Sequence, residues 1–318
     1  MHAAVVYSFD TAPVFGRYEE PCETEGHTVV RVLAAPISPI VKSLAAGKHY
    51  TAAKALAVQG FVPGIDGVGL NSKGERVYFM FPTPPFGSMA EKSLVATAAT
   101  VPVPEGVEDG RAAAVVTAGL SSWVALTRRA KFLHGETVLI NGATGSAGSL
   151  AVQIALHLGA DRIIVTGRNL AKLASFPPVV EKIALDEHAD TALREAFSRG
   201  VDVVLDYLWG EPASRVIAAA THGRGSRSGE PRLRYVQLGS IAGESIPLAA
   251  HAFRSSGLEI IGSGIGSLSM SELIAGAGEL LAVLPAAGFD TPVKNVLLRD
   301  VTDAWNDVSE AYRIVLRP

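Results

Sequence analysis

Apolar residues fall into two rhythms along this 318-residue chain. In the first hundred residues they come in short β-branched runs, such as Thr28 to Leu33 and Val77 to Phe81, broken by proline and glycine and with little helical periodicity. That pattern predicts a compact, mostly β module. After Val101, Pro102, Val103 and Pro104 the character shifts: 107–129 carries helical spacing, and strand and helix patterns alternate from there. Strands are predicted at 138–140, 162–166, 182–185, 201–206, 234–239 and 258–262, with helices at 146–158, 169–175, 188–198 and 211–221. Regular alternation of this kind makes a parallel, doubly wound α/β sheet. A last stretch, helical over 269–287 and mixed from 293, cannot stand alone and is expected to return to the first module. The expected domains are therefore 114–250, and 1–113 together with 251–318.

The stretch 138–159, VLINGATGSAGSLAVQIALHLG, organises the rest. It joins an apolar strand to an amphipathic helix through a turn with Ala143, Gly145 and Gly148 at AxGxxG spacing, and Gly159 stops the helix. Small residues there let backbone approach a pyrophosphate. Ser146 and Ala147 open the helix, whose unpaired amides and positive dipole end attract a dianion. Thr144 completes the turn.

The next strand identifies the nucleotide. In an NAD-type fold an acidic side chain at its carboxyl end grips the ribose diol. Here that place holds Gly167, Arg168 and Asn169, with Lys172 one helical turn on. A carboxylate would repel a 2′-phosphate, whereas Arg168 can fork onto it and Lys172 can add a point charge. The expected cofactor is NADPH.

Composition narrows the partners. The chain is 48% apolar and 19% charged with a net charge of −3, which argues against broad nucleic-acid or membrane-surface binding and leaves a small-molecule substrate. Cys22 is the single cysteine, so no intrachain disulfide and no cysteine-based zinc site can form, and no metal is expected. The start of the chain lacks a cationic flank with a long apolar core, and no uninterrupted apolar run approaches membrane-spanning length. A cytoplasmic protein is expected.

With the glycine turn in mid-chain behind a β-rich module, the sequence resembles the medium-chain dehydrogenase/reductase superfamily and its zinc-independent quinone oxidoreductase branch. The carriers are VPGIDGVG at 62–69, GSMAE at 87–91, TAGLSSW at 117–123, VDVVLD at 201–206 and VQLG at 236–239. The resemblance implies a Rossmann-type domain and a mostly β, GroES-like catalytic domain, an interdomain cleft, and a homodimer formed through 258–262. It also implies that Ser121 and the turn Leu238, Gly239, Ser240 lie near the nicotinamide. Zinc-dependent relatives place a cysteine near Ser38 and a His-Glu pair where this chain has Ile65 and Asp66. Quinone oxidoreductases usually carry asparagine and aspartate at Ser38 and Val41, and a tyrosine near Leu185.

Without those zinc ligands an alcohol has no Lewis acid to lower its proton's pKa, whereas a quinone or conjugated carbonyl needs chiefly a positioned hydride donor and one group to stabilise its oxygen. Lys42 and Tyr50 are the candidates for that group, with His49 beside them. An alkenal or 2-enoyl thioester reductase, and a non-catalytic NADPH-binding redox sensor, are the alternatives. Residues 50–54 have the YxxxK spacing of short-chain dehydrogenases, but there the glycine turn comes first, so the match is read as chance. Phe79 and Phe81 alternate onto one face with Met80 between them and Phe86 nearby, a pattern read as core rather than a stacking platform. His222, Arg224, Arg227, Arg232 and Arg234 are read as a solvated, mobile loop at the end of the sheet away from the cofactor.

Overall fold

A computed structural model describes residues 1–9, 11–50, 52, 60–309 and 311–318, so Thr51, Ala53 and Lys54 of the YxxxK match lie outside the described residues. The chain forms two units, Met1–Leu120 with Met270–Pro318, and Ser121–Ser269.

In the first unit, β1 (His2–Val5) pairs antiparallel with β2 (Val14–Arg17). The larger sheet is built from β3 (His27–Pro36), β4 (Asp66–Leu70), β5 (Arg76–Met80), β6 (Lys92–Ala96) and β7 (Thr100–Pro102). Strand β3 alternates, burying Thr28, Val30, Val32 and Ala34. Val30 and Val32 meet Val77, Phe79, Met89 and Val95 in one core. Phe79 is wholly buried, whereas Phe81 lies beyond the end of β5 with φ +52° and is only partly covered, so the two phenylalanines do not share a strand face. Helix α1 (Pro39–Ala45) begins at Ser38, whose hydroxyl accepts from Val41 N.

Helix α2 (Asp109–Val124) runs through the division at 120/121 and ends in a π-helical turn, Ala125–Ala130. The second unit follows with β8 (Thr137–Asn141), α3 (Ser146–His157), β9 (Arg162–Gly167), α4 (Leu170–Ala174) and β10 (Glu181–Ala184). It continues through α5 (Ala189–Ser198), β11 (Val203–Asp206), α6 (Gly210–Thr221), β12 (Arg232–Gln237), α7 (Ala250–Arg254) and β13 (Gly257–Gly262). All six strands are parallel, in the order β10-β9-β8-β11-β12-β13. Val138, Leu139 and Ile140 are fully buried, as strands covered on both faces require.

Because β13 pairs with β12 along its whole length, the chain leaves this unit at 269/270 rather than at 250/251, and it enters at 120/121 rather than 113/114. The first unit is completed by α8 (Met270–Ala287), β14 (Val293–Leu297), α9 (Val301–Asn306) and β15 (Arg313–Arg317), with β14 and β15 joining the sheet of β3. Helix α8 is long and apolar enough to cross a membrane by length and composition, yet Leu273, Ala277, Leu280 and Leu284 form a buried stripe at helical spacing.

Of the arginines expected to be solvated, Arg224 and Arg234 are covered by their partners, while Arg232 is paired and still exposed. Arg232 forks onto Glu259, Arg224 reaches Glu230 and two backbone carbonyls, and Arg234 is buried within β12, donating to Ala130 O and Glu136. Each acceptor is brought near by the fold, and for Arg224 and Arg234 it replaces solvent that a lone loop arginine would keep.

Candidate functional site

The strand order reverses between β8 and β11, and in open parallel sheets ligands bind outside the carboxyl ends at such a point. The glycine turn leaves the carboxyl end of β8. Gly142 takes φ +91°, and the amides of Gly142 and Ala143 donate to Thr166 O at 3.2 and 2.9 Å. A side chain at Gly148 would put its Cβ 2.5 Å from Gly142 O and 2.6 Å from the Ala143 Cα, so only glycine lets α3 approach the turn this closely. A Cβ at Gly145 would meet nothing nearer than Gly142 O at 3.8 Å, leaving that face of the turn open. Gly145 is the N-cap without a side-chain cap, and the Ser149 amide bonds Gly145 O at 2.8 Å. Ser146, Ala147 and Gly148 thus begin the helix with amides that its own ladder does not use. A narrow turn, an open face and free helix-end amides fit a pyrophosphate.

At the carboxyl end of β9, a Cβ at Gly167 would lie 2.5 Å from Thr144 Cγ2, so the Thr144 side chain closes that flank. Arg168 is exposed. Asn169 acts locally, its side chain capping α4 by accepting from Lys172 N at 3.0 Å. The turn Leu238, Gly239, Ser240 follows β12, with the Leu238 and Gly239 amides on Asp206 O at 2.8 and 3.1 Å and Ser240 Oγ on Glu244 at 3.0 Å. The second unit therefore brings together every expected nucleotide residue on its own carboxyl edge. Ser121 belongs to this unit too, beside the buried Tyr207 hydroxyl, whose pKa burial pushes up to about 12.

A polar belt beneath the turn escaped the sequence reading. Thr166 Oγ1 donates to Asn141 Oδ1 at 2.6 Å, Asn141 Nδ2 to Asp206 Oδ1 at 2.8 Å, and Tyr235 Oη to Asp206 Oδ2 at 2.9 Å. The belt crosses β9, β8, β11 and β12 in spatial order. Burial raises the Asp206 carboxyl above its ordinary range, opposed by the donors around it. The available signal was the polar residue near or at the end of each apolar strand.

Lys42 and Tyr50 belong to the first unit. Lys42 Nζ donates to Trp305 O at 2.6 Å and lies 5.8 Å from the Trp305 ring centroid, and burial lowers its pKa. Tyr50 is 72% exposed, its ring 4.1 Å from that of His49. Asp66, at the place of the zinc-binding glutamate, is buried and bonded to Tyr78 and Thr117. Among the described residues no three His, Cys, Asp or Glu side chains group to hold a metal.

No protein-family model matches the chain. Over the full length of both proteins it is 29% identical to a probable NADPH-dependent quinone reductase of Emericella nidulans. The quinone oxidoreductase of Thermus thermophilus, solved also in complex with NADPH, matches over all of both chains at 25% identity and a TM-score of 0.79. Over its whole length the chain is thus similar to proteins that are named quinone reductases or quinone oxidoreductases. A phthioceranic/hydroxyphthioceranic acid synthase of Mycobacterium tuberculosis is 33% identical over 45% of this chain, a match that takes in 7% of the synthase. A mycobacterial quinone oxidoreductase shares the fold, with a TM-score of 0.83 at 20% identity. The α/β architecture, with its parallel Rossmann-like sheet and its mixed, largely antiparallel one, matches the fold of these solved quinone oxidoreductases.

Proposed function

We propose that the protein is an NADPH-dependent reductase that delivers hydride to a quinone or other conjugated carbonyl without zinc. The carrying observation is the carboxyl end of β9, where the exposed Arg168 stands beside Gly167 in place of an acidic side chain. The full-length likeness to a probable NADPH-dependent quinone reductase supports the same reading. Bound NADPH supplies the hydride. The glycine turn and the first turn of α3 hold the pyrophosphate, Arg168 and Lys172 the 2′-phosphate, and the Leu238–Ser240 turn and Ser121 flank the nicotinamide. Lys42, with its ammonium already on Trp305 O, and Tyr50, a neutral donor, are the groups offered to the acceptor's oxygen.

The side chains at the zinc-ligand positions support zinc independence: Ser38 spends its hydroxyl on a helix cap, and Asp66 accepts from Tyr78 with Thr117 against the same oxygen. The lone exposed thiol of Cys22 accords with a reducing cytoplasm, and the open edge of β13 with a homodimer.

The test follows oxidation of NADPH and of NADH by wild type and Arg168→Ala with a panel of quinones, alkenals and an enoyl thioester. Loss of a charge-assisted contact should weaken NADPH roughly tenfold or more and leave NADH unchanged. Equal use of NADH by wild type would sink the Arg168 argument, and tight NADPH binding with no turnover on any acceptor would make the protein a sensor.

A further inference from the structure

We propose that Asp206 is a positioning residue for the nicotinamide half of the dinucleotide, holding the loop after β11 and the Leu238–Ser240 turn in register with the glycine turn. The inference rests on the NADPH reading. Asp206 has no exposed surface, so it acts through its neighbours. Its carboxylate gathers donors from three segments of the carboxyl edge. Asn141, the last residue before the glycine turn, donates to Oδ1 at 2.8 Å; Leu208 N donates at 3.0 Å and Trp209 N lies 3.2 Å from each oxygen; Tyr235 donates to Oδ2 at 2.9 Å. Its backbone carbonyl takes the Leu238 and Gly239 amides.

The segments so tied are in contact. Leu208 presses on the turn, since a Cβ at Gly142 would lie 2.8 Å from Leu208 Cγ and Cδ2, and Tyr207 O would lie 2.7 Å from a Cβ at Gly239. Trp209 takes φ +54° and ψ −160°, a conformation that favours glycine and persists in a bulky residue only where its surroundings impose it. The carboxylate on its amide, together with its ring 6.4 Å from Tyr235, supplies that constraint. The amides and the phenol around the carboxylate are neutral donors of fixed direction, so its geometry rather than its net charge sets the loop.

The experiment compares binding of NADPH and of 2′,5′-ADP, which lacks the nicotinamide half, to wild type, Asp206→Asn and Tyr235→Phe. Asp206→Asn sets an amide group against several existing donors, and should weaken NADPH about tenfold while changing 2′,5′-ADP less than about twofold. Tyr235→Phe keeps the ring and removes one donor, and should shift NADPH about threefold in the same direction; it carries the test if Asp206→Asn does not fold. Parallel weakening of both ligands would mean a merely structural role and overturn the proposal, as would unchanged NADPH binding in both variants. Wild type that binds neither ligand would overturn the nucleotide reading and the proposal together.

Discussion

At the start of β4 the Asp66 carboxyl is wholly buried, 2.6 Å from Tyr78 Oη and 2.5 Å from Thr117 Oγ1, with the Arg313 cation further off. Desolvation dominates these partners and raises its pKa to about 6. The folded state therefore holds this proton more tightly than the unfolded chain does. The resulting stabilisation is fully present below the unfolded value near 3.8 and is lost as pH rises through about 6, on the order of 3 kcal/mol. Thr117 fits this picture: its one hydroxyl hydrogen faces both Asp66 and Ala113 O at 2.7 Å, and a protonated Asp66 can donate to it instead. Relative to Asp66→Asn, the wild type should lose denaturant resistance between pH 4 and pH 7; parallel profiles would rule the assignment out. The residue type and the glycine-rich turn were visible in sequence, but the desolvation was not, because Tyr78, Thr117 and Arg313 arrive from separate elements. Lys42 makes the same point, its acceptor on Trp305 lying 263 positions away.

The strand, glycine turn and helix at 137–157 were legible because the strand, turn and helix signals all lie within one short stretch. Two glycines in that turn do separable work. Gly148 makes room for Gly142 O and Ala143, whereas Gly145, with φ −80°, lies in a conformation open to any residue and faces space. Gly148→Ala should lower the melting temperature, with a cost of about 1–3 kcal/mol from forced backbone shifts, and weaken NADPH through the distorted turn. Gly145→Ala should melt like wild type, yet lose NADPH affinity because its methyl enters the open face. Calorimetry beside a binding titration checks both; equal loss of stability in the two variants would contradict the assignment. The belt Thr166, Asn141, Asp206 and Tyr235 was not legible, since strand order decides which polar strand ends become neighbours and hydropathy alone does not order parallel strands.

The expected return of the chain at 251 fell short because a long connection and α7 interrupt the alternation before β13; only its pairing with β12 assigns it to the second unit, where it is the edge strand. It contains no proline, and its one charged side chain, Glu259, is already engaged by Arg232; Arg129, donating to Gly262 O at 2.8 Å, covers one end of this edge and leaves the rest open to a further strand. Ser263 N donates to Gln237 O, and the alternation along a strand then turns the Ile260 and Gly262 amides away from β12. Those two amides are what a second copy could pair with about a twofold axis, extending the sheet from one copy into the next. Light scattering should return twice 33.2 kDa for the wild type over a range of concentrations. Gly262→Pro removes one outward amide and leaves the β12 ladder intact, and it should shift the mass toward 33.2 kDa at low concentration without abolishing NADPH binding. A wild type of 33.2 kDa at every concentration would dismiss the dimer, and a variant that stays dimeric would move the contact away from β13.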